Sequence, residues 1–311
     1  MDPVNITSQL EARSTACQDE DRRSALAYAI VTPVRNEERF LQDTVDSVAA
    51  QTVRPARWII VNDGSNDGTG GIAQRAAERY EWISVVHRSD RGKREAGGGV
   101  VQAFYDGFRL LDETSWRYLV KLDGDLTFEP NYFERCFDRF AEENSLGIGG
   151  GLICSVADGR PESAGDPDFH VRGATKIYKR DCWQAIGGLA QVTGWDTVDE
   201  LKANMLGWTT RTFKDIKAIH HRPAGDAYGV WPNWVKNGRA NYVAGYHPLF
   251  MFLKCLKRLF QKPYGIAGIG LAVGFLGSYF RKAPRIDDVE VIRYFQREQM
   301  KRLFLRPSLW G

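Results

Sequence analysis

Tyr118-Leu119-Val120-Lys121-Leu122-Asp123-Gly124-Asp125 is a short β-prone run that ends on two carboxylates one residue apart. Carboxylates so placed can grip a hard divalent cation and the phosphates it carries. The carboxyl end of a strand is also where open α/β sheets bind ligands. Two upstream segments repeat the arrangement. Thr32-Pro33-Val34-Arg35-Asn36-Glu37-Glu38 and Val61-Asn62-Asp63-Gly64-Ser65-Asn66-Asp67-Gly68-Thr69 each follow an apolar run and end polar. Nucleotide plus metal is the chemistry the three suggest together.

Working outward, residues 26–127 alternate strand and helix. Strands are predicted over 27–34, 57–62, 82–87 and 117–123, short runs rich in Ile and Val. Helices are predicted over 37–51, where Phe40, Leu41, Val45, Val48 and Ala49 make an apolar stripe, and over 69–80 and 100–112. The expected fold is a doubly wound, mainly parallel sheet flanked by helices. Further on, 130–143 reads as a helix with Pro at its first turn, 147–155 and 171–178 as strands, and 156–170 as a loop. A helix over 196–206 and short strands over 209–213 and 217–220 complete this part. The expected division is a polar leader (1–25), a nucleotide-binding half (26–128), an acceptor half (129–225) and a helical tail (226–311).

The 311 residues carry a net charge of only +3, unevenly spread. Residues 248–311 hold 12 Lys+Arg against 4 Asp+Glu, so the preceding part is acidic. That balance argues against a nucleic-acid groove and fits a tail facing an anionic membrane. The leader has no apolar stretch of the kind a signal peptide needs. Five cysteines (Cys17, Cys136, Cys154, Cys182, Cys255) form no CxxC pair, so reduced thiols and a cytoplasmic setting are expected.

In the tail, 248–261 is amphipathic and basic, with Phe250, Phe252, Leu253, Leu256, Leu259 and Phe260 beside Lys254, Lys257 and Arg258. Residues 263–280 then run without a charge, and Gly270 and Gly274 make a GxxxG step. As one helix this run would be about 27 Å long, the lower limit for crossing a bilayer. Membrane association is expected, spanning, re-entrant or interfacial. Positive charge on both flanks gives no orientation, which favours the non-spanning forms.

Of the polar segments, Asp63 is placed to accept hydrogen bonds from a base or ribose, although Asp67-Gly68-Thr69 alone is good helix-capping chemistry. Gly124 would let a diphosphate approach the backbone. Arg88, Arg91, Lys93 and Arg94 with the glycines 97–99 form a basic loop that either embraces phosphates or is a solvated surface. Trp183, Trp195 and Trp208 are candidates for an aromatic wall against a sugar ring, or for core packing.

The ordered set of Thr-Pro-Val-Arg-Asn-Glu-Glu, Val-Asn-Asp-Gly-Ser-Asn-Asp-Gly-Thr and Asp-x-Asp resembles family 2 of the nucleotide-sugar glycosyltransferases, the inverting enzymes of the GT-A fold. The resemblance covers about residues 27–222. It implies a metal-dependent transferase that moves a sugar from a nucleoside-diphosphate sugar, UDP-sugars being favoured, to a saccharide or lipid-linked acceptor. Glu37 and Asp63 would contact the nucleotide, with Pro33, Arg35, Ser65, Arg91, Lys93 and Gly124 completing the donor site. Asp123 and Asp125 would hold the diphosphate and a Mn²⁺ or Mg²⁺ ion, with His220 or His221 as a further ligand. Adjacent strand residues point opposite ways, so one histidine would bind and the other would not. The catalytic base falls within Gly194-Trp195-Asp196-Thr197-Val198-Asp199-Glu200, with Asp199 favoured and Glu200 and Asp196 as alternatives.

A second resemblance, of the run around Asp123-Gly124-Asp125 to the opening of haloacid-dehalogenase-type phosphatases, would make Asp123 a nucleophile. It leaves the two upstream segments unexplained. A sugar nucleotidyltransferase would need a Gly-Thr-Arg loop where Pro33-Val34-Arg35-Asn36 stands. A non-catalytic, membrane-attached nucleotide-sugar binder would keep the ligand site and lack turnover.

Overall fold

The computed structural model describes residues 26–90, 92, 98–112, 114–156, 159–160, 166–222 and 229–310. Within them the strands are β1 (Tyr28–Val34), β2 (Arg57–Asp63), β3 (Ile83–Arg88), β4 (Tyr118–Leu122), β5 (Leu126–Phe128), β6 (Leu146–Ser155), β7 (Thr175–Lys179) and β8 (Thr209–His220). They form one sheet in the order β3-β2-β1-β4-β7-β6-β8-β5. The first three crossovers carry α1 (Leu41–Ala49), α2 (Thr69–Arg79) and α3 (Gly98–Phe108). β1 to β4 are mutually parallel. β7 runs antiparallel to β4 and β6, and β5 antiparallel to β8. The sheet is therefore mainly parallel, as expected, and it continues unbroken across residues 26–128 and 129–225.

Strand periodicity of two explains the layers. Tyr28 and Ile30 face one core, with Trp58, Ile60 and the aromatic row Phe133, Phe137 and Phe140 of α4 (Tyr132–Glu142). The Tyr118 and Phe137 rings stack there at 4.7 Å. Ala29 and Val31 face the other core, against Phe104 of α3 and Trp183 of α5 (Arg180–Ile186). Trp183 sits 5.2 Å from Phe108 and 5.8 Å from Phe104.

The two short strands expected over 209–213 and 217–220 are one strand. A register shift between Gly151 and Leu152 of β6 moves the pairing from Phe213 to Lys217 and absorbs the residues between. β5 pairs with its far end, Leu126 opposite His220. That pairing brings the late histidine beside Asp125.

Four helices follow: α7 (Val230–Val243), α8 (Pro248–Leu259), α9 (Ile266–Phe280) and α10 (Val289–Leu303), while α6 (Trp195–Met205) precedes β8. The His247 Nδ1 accepts from the Leu249 N–H at 3.2 Å and Asp288 Oδ1 from the Val291 N–H at 3.1 Å, capping α8 and α10. The charge-free run 263–280 is not a single spanning helix. Gly265 (φ +73°) breaks it, and α9 has 15 residues, about 22 Å. Among the described residues no helix is long and apolar enough to cross a membrane.

The glycines of α9 have a different use. A Cβ on Gly274 would lie 2.0 Å from the Val235 carbonyl oxygen, and one on Gly238 2.3 Å from that of Leu271. Helices α7 and α9 thus touch backbone to backbone. Cys136, Cys154 and Cys182 are buried free thiols and Cys255 is a half-buried one. Cys17 lies outside the described residues.

Candidate active site

The carboxyl ends of β1, β2 and β4 open into a cleft of about 2300 Å³ that runs on between α6 and the tail helices. Pro33, Arg35, Glu37, Asp63, Asp123, Gly124, Asp125, Asp196 and His220 all line it. At the β2 end of the cleft Asp63 is buried, and its Oδ1 accepts from Arg88 Nη1 at 2.6 Å. Arg88 Nε in turn pairs with Asp106 at 2.8 Å. Arg35 bridges the first two turns, donating to the Asp63 carbonyl and to Asp90 Oδ1, both at 2.6 Å. That guanidinium, with the Gly92 N–H, holds the Asp90 carboxyl below its ordinary range. Gly64 (φ +68°) lets the second turn close, since a Cβ there would sit 2.5 Å from Asp90 Cα.

Glu37 is 4% exposed, and its Oε2 accepts from Arg222 Nη2 at 2.5 Å. Arg222 Nε also lies 3.9 Å from Asp125 Oδ2. One guanidinium thus ties the first turn to the acidic pair. Ser65 lies elsewhere, its Oγ accepting from the Asn36 N–H at 3.0 Å to link the first two turns. Gly124 lines the cleft, but the room its missing side chain leaves is filled by Val34, whose Cγ1 would be 2.6 Å from a Cβ. Packing against Val34 therefore also requires a glycine here. Arg91, Lys93 and Arg94 lie outside the described residues.

Asp125 is held from two sides. Its carbonyl accepts from the His221 N–H at 3.0 Å, and its Oδ2 lies 3.3 Å from His220 Nε2. Its Oδ1 is buried with no hydrogen-bond partner among the described residues. Burial pushes this carboxyl up, but the hydrogen bond and charge of His220, with Arg222 and Lys121, outweigh it and hold it below its ordinary range. Asp123 pairs with Lys121 Nζ, which also donates to the Gly173 carbonyl at 2.7 Å. The two histidines diverge as strand geometry requires. His221 Nε2 is 2.9 Å from Thr127 Oγ1 and its ring stacks on Phe40, away from the acids.

An orphaned, buried carboxylate oxygen beside a second carboxylate and an imidazole is a donor set that fits a hard or borderline divalent cation. Among the described residues no group of three or more His, Cys, Asp or Glu is gathered tightly enough to hold a metal by itself. A Mg²⁺- or Mn²⁺-diphosphate needs only one or two protein carboxylates, because the phosphates supply the rest.

The acids of α6 divide sharply. Asp199 is 2% exposed, and its two oxygens accept from Lys176 Nζ at 2.8 and 3.0 Å and from the Tyr178 hydroxyl at 2.5 Å. Glu200 accepts from the Val171 N–H at 2.7 Å, pairs with Lys176 at 2.7 Å and faces His170 Nδ1 at 2.9 Å. Burial, against the opposing charge of Lys176, raises the Asp199 carboxyl to about 6. Burial alone would lower His170, but the charge and hydrogen bond of Glu200 raise it to about 9. Both acids that the sequence placed first thus face inward, and neither lines the cleft. Asp196, one turn earlier and half-buried, is the α6 acid on the cleft wall, and its carbonyl accepts from the same Lys176 Nζ. Of the three candidate tryptophans, Trp195 lines the cleft, flanked by Lys121 Nζ and Lys176 Nζ at 5.4 and 5.6 Å from its ring centroid. Trp183 and Trp208 belong to the core around Phe108, and Trp195, only 7% exposed, is part of the same core.

The sequence pattern of the family described as "Glycosyl transferase family 2" matches residues 29–187, just over half of the chain. The chain belongs to glycosyl transferase family 2. An uncharacterized glycosyltransferase of Bacillus subtilis, EpsJ, is 34% identical over 122 residues, 39% of this chain and 32% of that protein. The chain therefore matches only about a third of that curated relative's length. In three dimensions it is similar to the mannosyltransferase PcManGT of Pyrobaculum calidifontis in complex with GDP-Man and Mn²⁺. There the TM-score is 0.53 at 16% identity, over 90% of this chain and 76% of that one. It is also similar to TarS residues 1–349 of S. aureus in complex with UDP-GlcNAc, with TM-score 0.51 at 14% identity over 89% and 79%. These likenesses bear out the GT-A-like fold.

Sequence reasoning missed Arg222, Lys121, Lys176 and His170. Lys121 had a signal, as the lone cation in an otherwise apolar strand, a position that needs an acidic partner. Lys176 had a weaker one, because its strand also carries Lys179. Arg222 and His170 had none, since their partners are distant in sequence and come from other elements.

Proposed function

We propose that this family 2 enzyme is a metal-dependent, inverting glycosyltransferase with Asp196 as its general base. The observation that carries this reading is that Asp63, the Asp123/Asp125 pair and Asp196 line one continuous cleft. The nucleotide of a nucleoside-diphosphate sugar, a UDP-sugar by preference, lies along Pro33, Arg35, Glu37 and Asp63. Its diphosphate lies towards Asp123 and Asp125, and Asp125, Asp123 and His220 would hold Mn²⁺ or Mg²⁺. Such an ion, when bound, neutralises the diphosphate so that it leaves as a more stable anion.

The chain's own groups supply the rest. Asp196 takes the proton of the acceptor hydroxyl. That oxygen bonds to the anomeric carbon from the face opposite the diphosphate, whose C–O bond breaks, so the anomeric configuration inverts. Lys121 keeps Asp123 oriented, and Trp195 offers a flat apolar wall to a sugar ring. The buried set Lys176, Asp199, Glu200 and His170 fixes the start of α6 and with it Asp196. The acceptor is a saccharide or lipid-linked saccharide of the cell envelope or an exopolysaccharide, met at the cytoplasmic face of a membrane.

Titration calorimetry against nucleoside diphosphates and their sugars, with Mn²⁺ and with chelator, tests the reading. Metal-dependent binding of one diphosphate that Asp125→Ala removes is the expected result. Binding unaffected by chelator and by that variant would end the metal assignment. Binding without turnover would favour the non-catalytic binder. No nucleotide binding, with release of phosphate from phosphomonoesters, would favour the phosphatase.

A further inference from the structure

Helices α8 and α9 each carry one apolar stripe that the described residues leave uncovered. On α8 it is Leu249, Phe252, Leu253, Leu256 and Phe260, and on α9 Ile266, Ile269, Val273, Leu276 and Phe280. The spacing is helical in both, so each is a single face. Phe252 is 64%, Phe260 74% and Phe280 77% exposed, values far beyond scattered surface apolarity. Internal packing cannot hide them, because the inner side of α9 is already sealed. Gly274 lies against the Val235 carbonyl of α7, and a Cβ on Gly268 would be 2.7 Å from the Cys255 carbonyl of α8.

The charges around these stripes name the occupant. Between Pro248 and Pro284 stand Lys254, Lys257, Arg258, Lys262, Arg281 and Lys282, and no acid at all. A second copy packed isologously on this face would set like charges together. A bilayer with anionic headgroups satisfies both the apolar stripes and the cations, as surface-lying amphipathic helices do. Since no described helix is long enough to cross, the contact is with one leaflet. Lys254, Lys257, Arg258 and Lys262 also line the catalytic cleft, so its far end opens at this same face.

We propose that the α8–α9 face docks the chain on an anionic lipid bilayer, with the basic end of the cleft turned to the headgroups so that an acceptor carried on a lipid phosphate enters from the membrane side. The second half of this proposal rests on the sugar-transfer reading of the cleft, and the first half does not.

Sedimentation of the full chain with vesicles of phosphatidylcholine alone, or with about one-third phosphatidylglycerol, tests it. At an anionic surface each nearby cation strengthens partitioning roughly fivefold. The chain is expected to bind the anionic vesicles at least tenfold more tightly than the neutral ones. Lys257→Glu/Lys262→Glu should lose most of that preference, and Phe252→Ser/Leu256→Ser/Phe280→Ser should lose binding to both. The apolar triple variant should keep its melting temperature and its affinity for nucleoside diphosphates, which shows that it folds. Equal binding to both vesicles, or a triple variant that still sediments like the parent, would overturn the proposal. So would a dimer in vesicle-free buffer that the triple variant turns to monomer, which would identify a second copy as the occupant. Because lipid binding is read without turnover, its failure is separate from failure of the transferase reading. Loss of nucleotide binding with lipid binding intact would remove only the acceptor half.

Discussion

Replacing Lys176 by Met isolates the buried charge set behind the active site. Lys176 Nζ, Asp199 and Glu200 all have side chains with no exposure, and the ammonium lies 2.7–3.0 Å from three carboxylate oxygens. After the substitution Asp199 keeps the Tyr178 hydroxyl and the Glu200 N–H, and Glu200 keeps His170 and the Val171 N–H. One cation then faces two buried anions. Removing one partner of a buried pair costs about 3–5 kcal/mol. At about 2–4 °C per kcal/mol, the melting temperature should fall by roughly 6–20 °C.

The deficit should also depend on pH. Asp199 already has its folded carboxyl raised to about 6 from its ordinary 3.8, so its ionisation opposes folding as pH rises through that interval. Without Lys176 the opposition grows and extends upward, so the deficit should be larger near about pH 8 than near about pH 5. Urea denaturation at both pH values, with Asp199→Asn added to form a double-mutant cycle, reads this out, and the double variant should recover part of the loss. A loss below about 1 kcal/mol, the level of an exposed ion pair, or one unchanged between the two pH values, would refute the account.

Asp196→Asn should lower kcat by roughly 10²–10⁴-fold while leaving nucleotide affinity intact by calorimetry. Asp199→Asn should instead show mainly as lost stability in a melting curve, since its carboxylate does not meet the cleft. His220→Ala should weaken the Mn²⁺ dependence of donor binding, whereas His221→Ala, which removes a bond to Thr127 and a stack on Phe40, should leave it unchanged in the same titration. His170, raised to about 9 from 6.5 by Glu200, contributes stability that is complete below pH 6.5 and lost as pH rises through 9. That interval corresponds to at most about 3 kcal/mol, and the slope should flatten in His170→Gln when unfolding is followed from about pH 6 to about pH 10.

What could be read from the sequence follows the range of the forces involved. β1, β2 and β4 and the acids at their ends were legible because a buried parallel strand is a compact apolar run and its polar exit lies in the next few residues. Antiparallel β7 was legible as a strand but not in its direction, which pairing with β4 decides. β5 and α5 are too short, at 3 and 7 residues, to show a period. α7 buries mainly Gly238 and Tyr242 and offers no continuous stripe. The base was the hardest point. Asp196, Asp199 and Glu200 are equivalent as letters, and only Lys176 and Tyr178 from β7, with His170, draw two of them inward. The histidines show the opposite case, since alternation along a strand separates His220 from His221 before any contact is known.

The backbone contact between α7 and α9 also sets how freely the tail can drift in sequence. At Gly238, Gly268, Gly270 and Gly274 even a methyl group would come within 2.7 Å of a neighbouring atom. On the outward face of α9, by contrast, Ile, Val, Leu and Phe all occur and nothing in the fold distinguishes among them. Tolerance to replacement along 266–280 should therefore rise and fall with the helical repeat, with the glycines of the inward face immutable, Leu271 and Phe275 guarded as core, and the outward apolar residues exchangeable for one another.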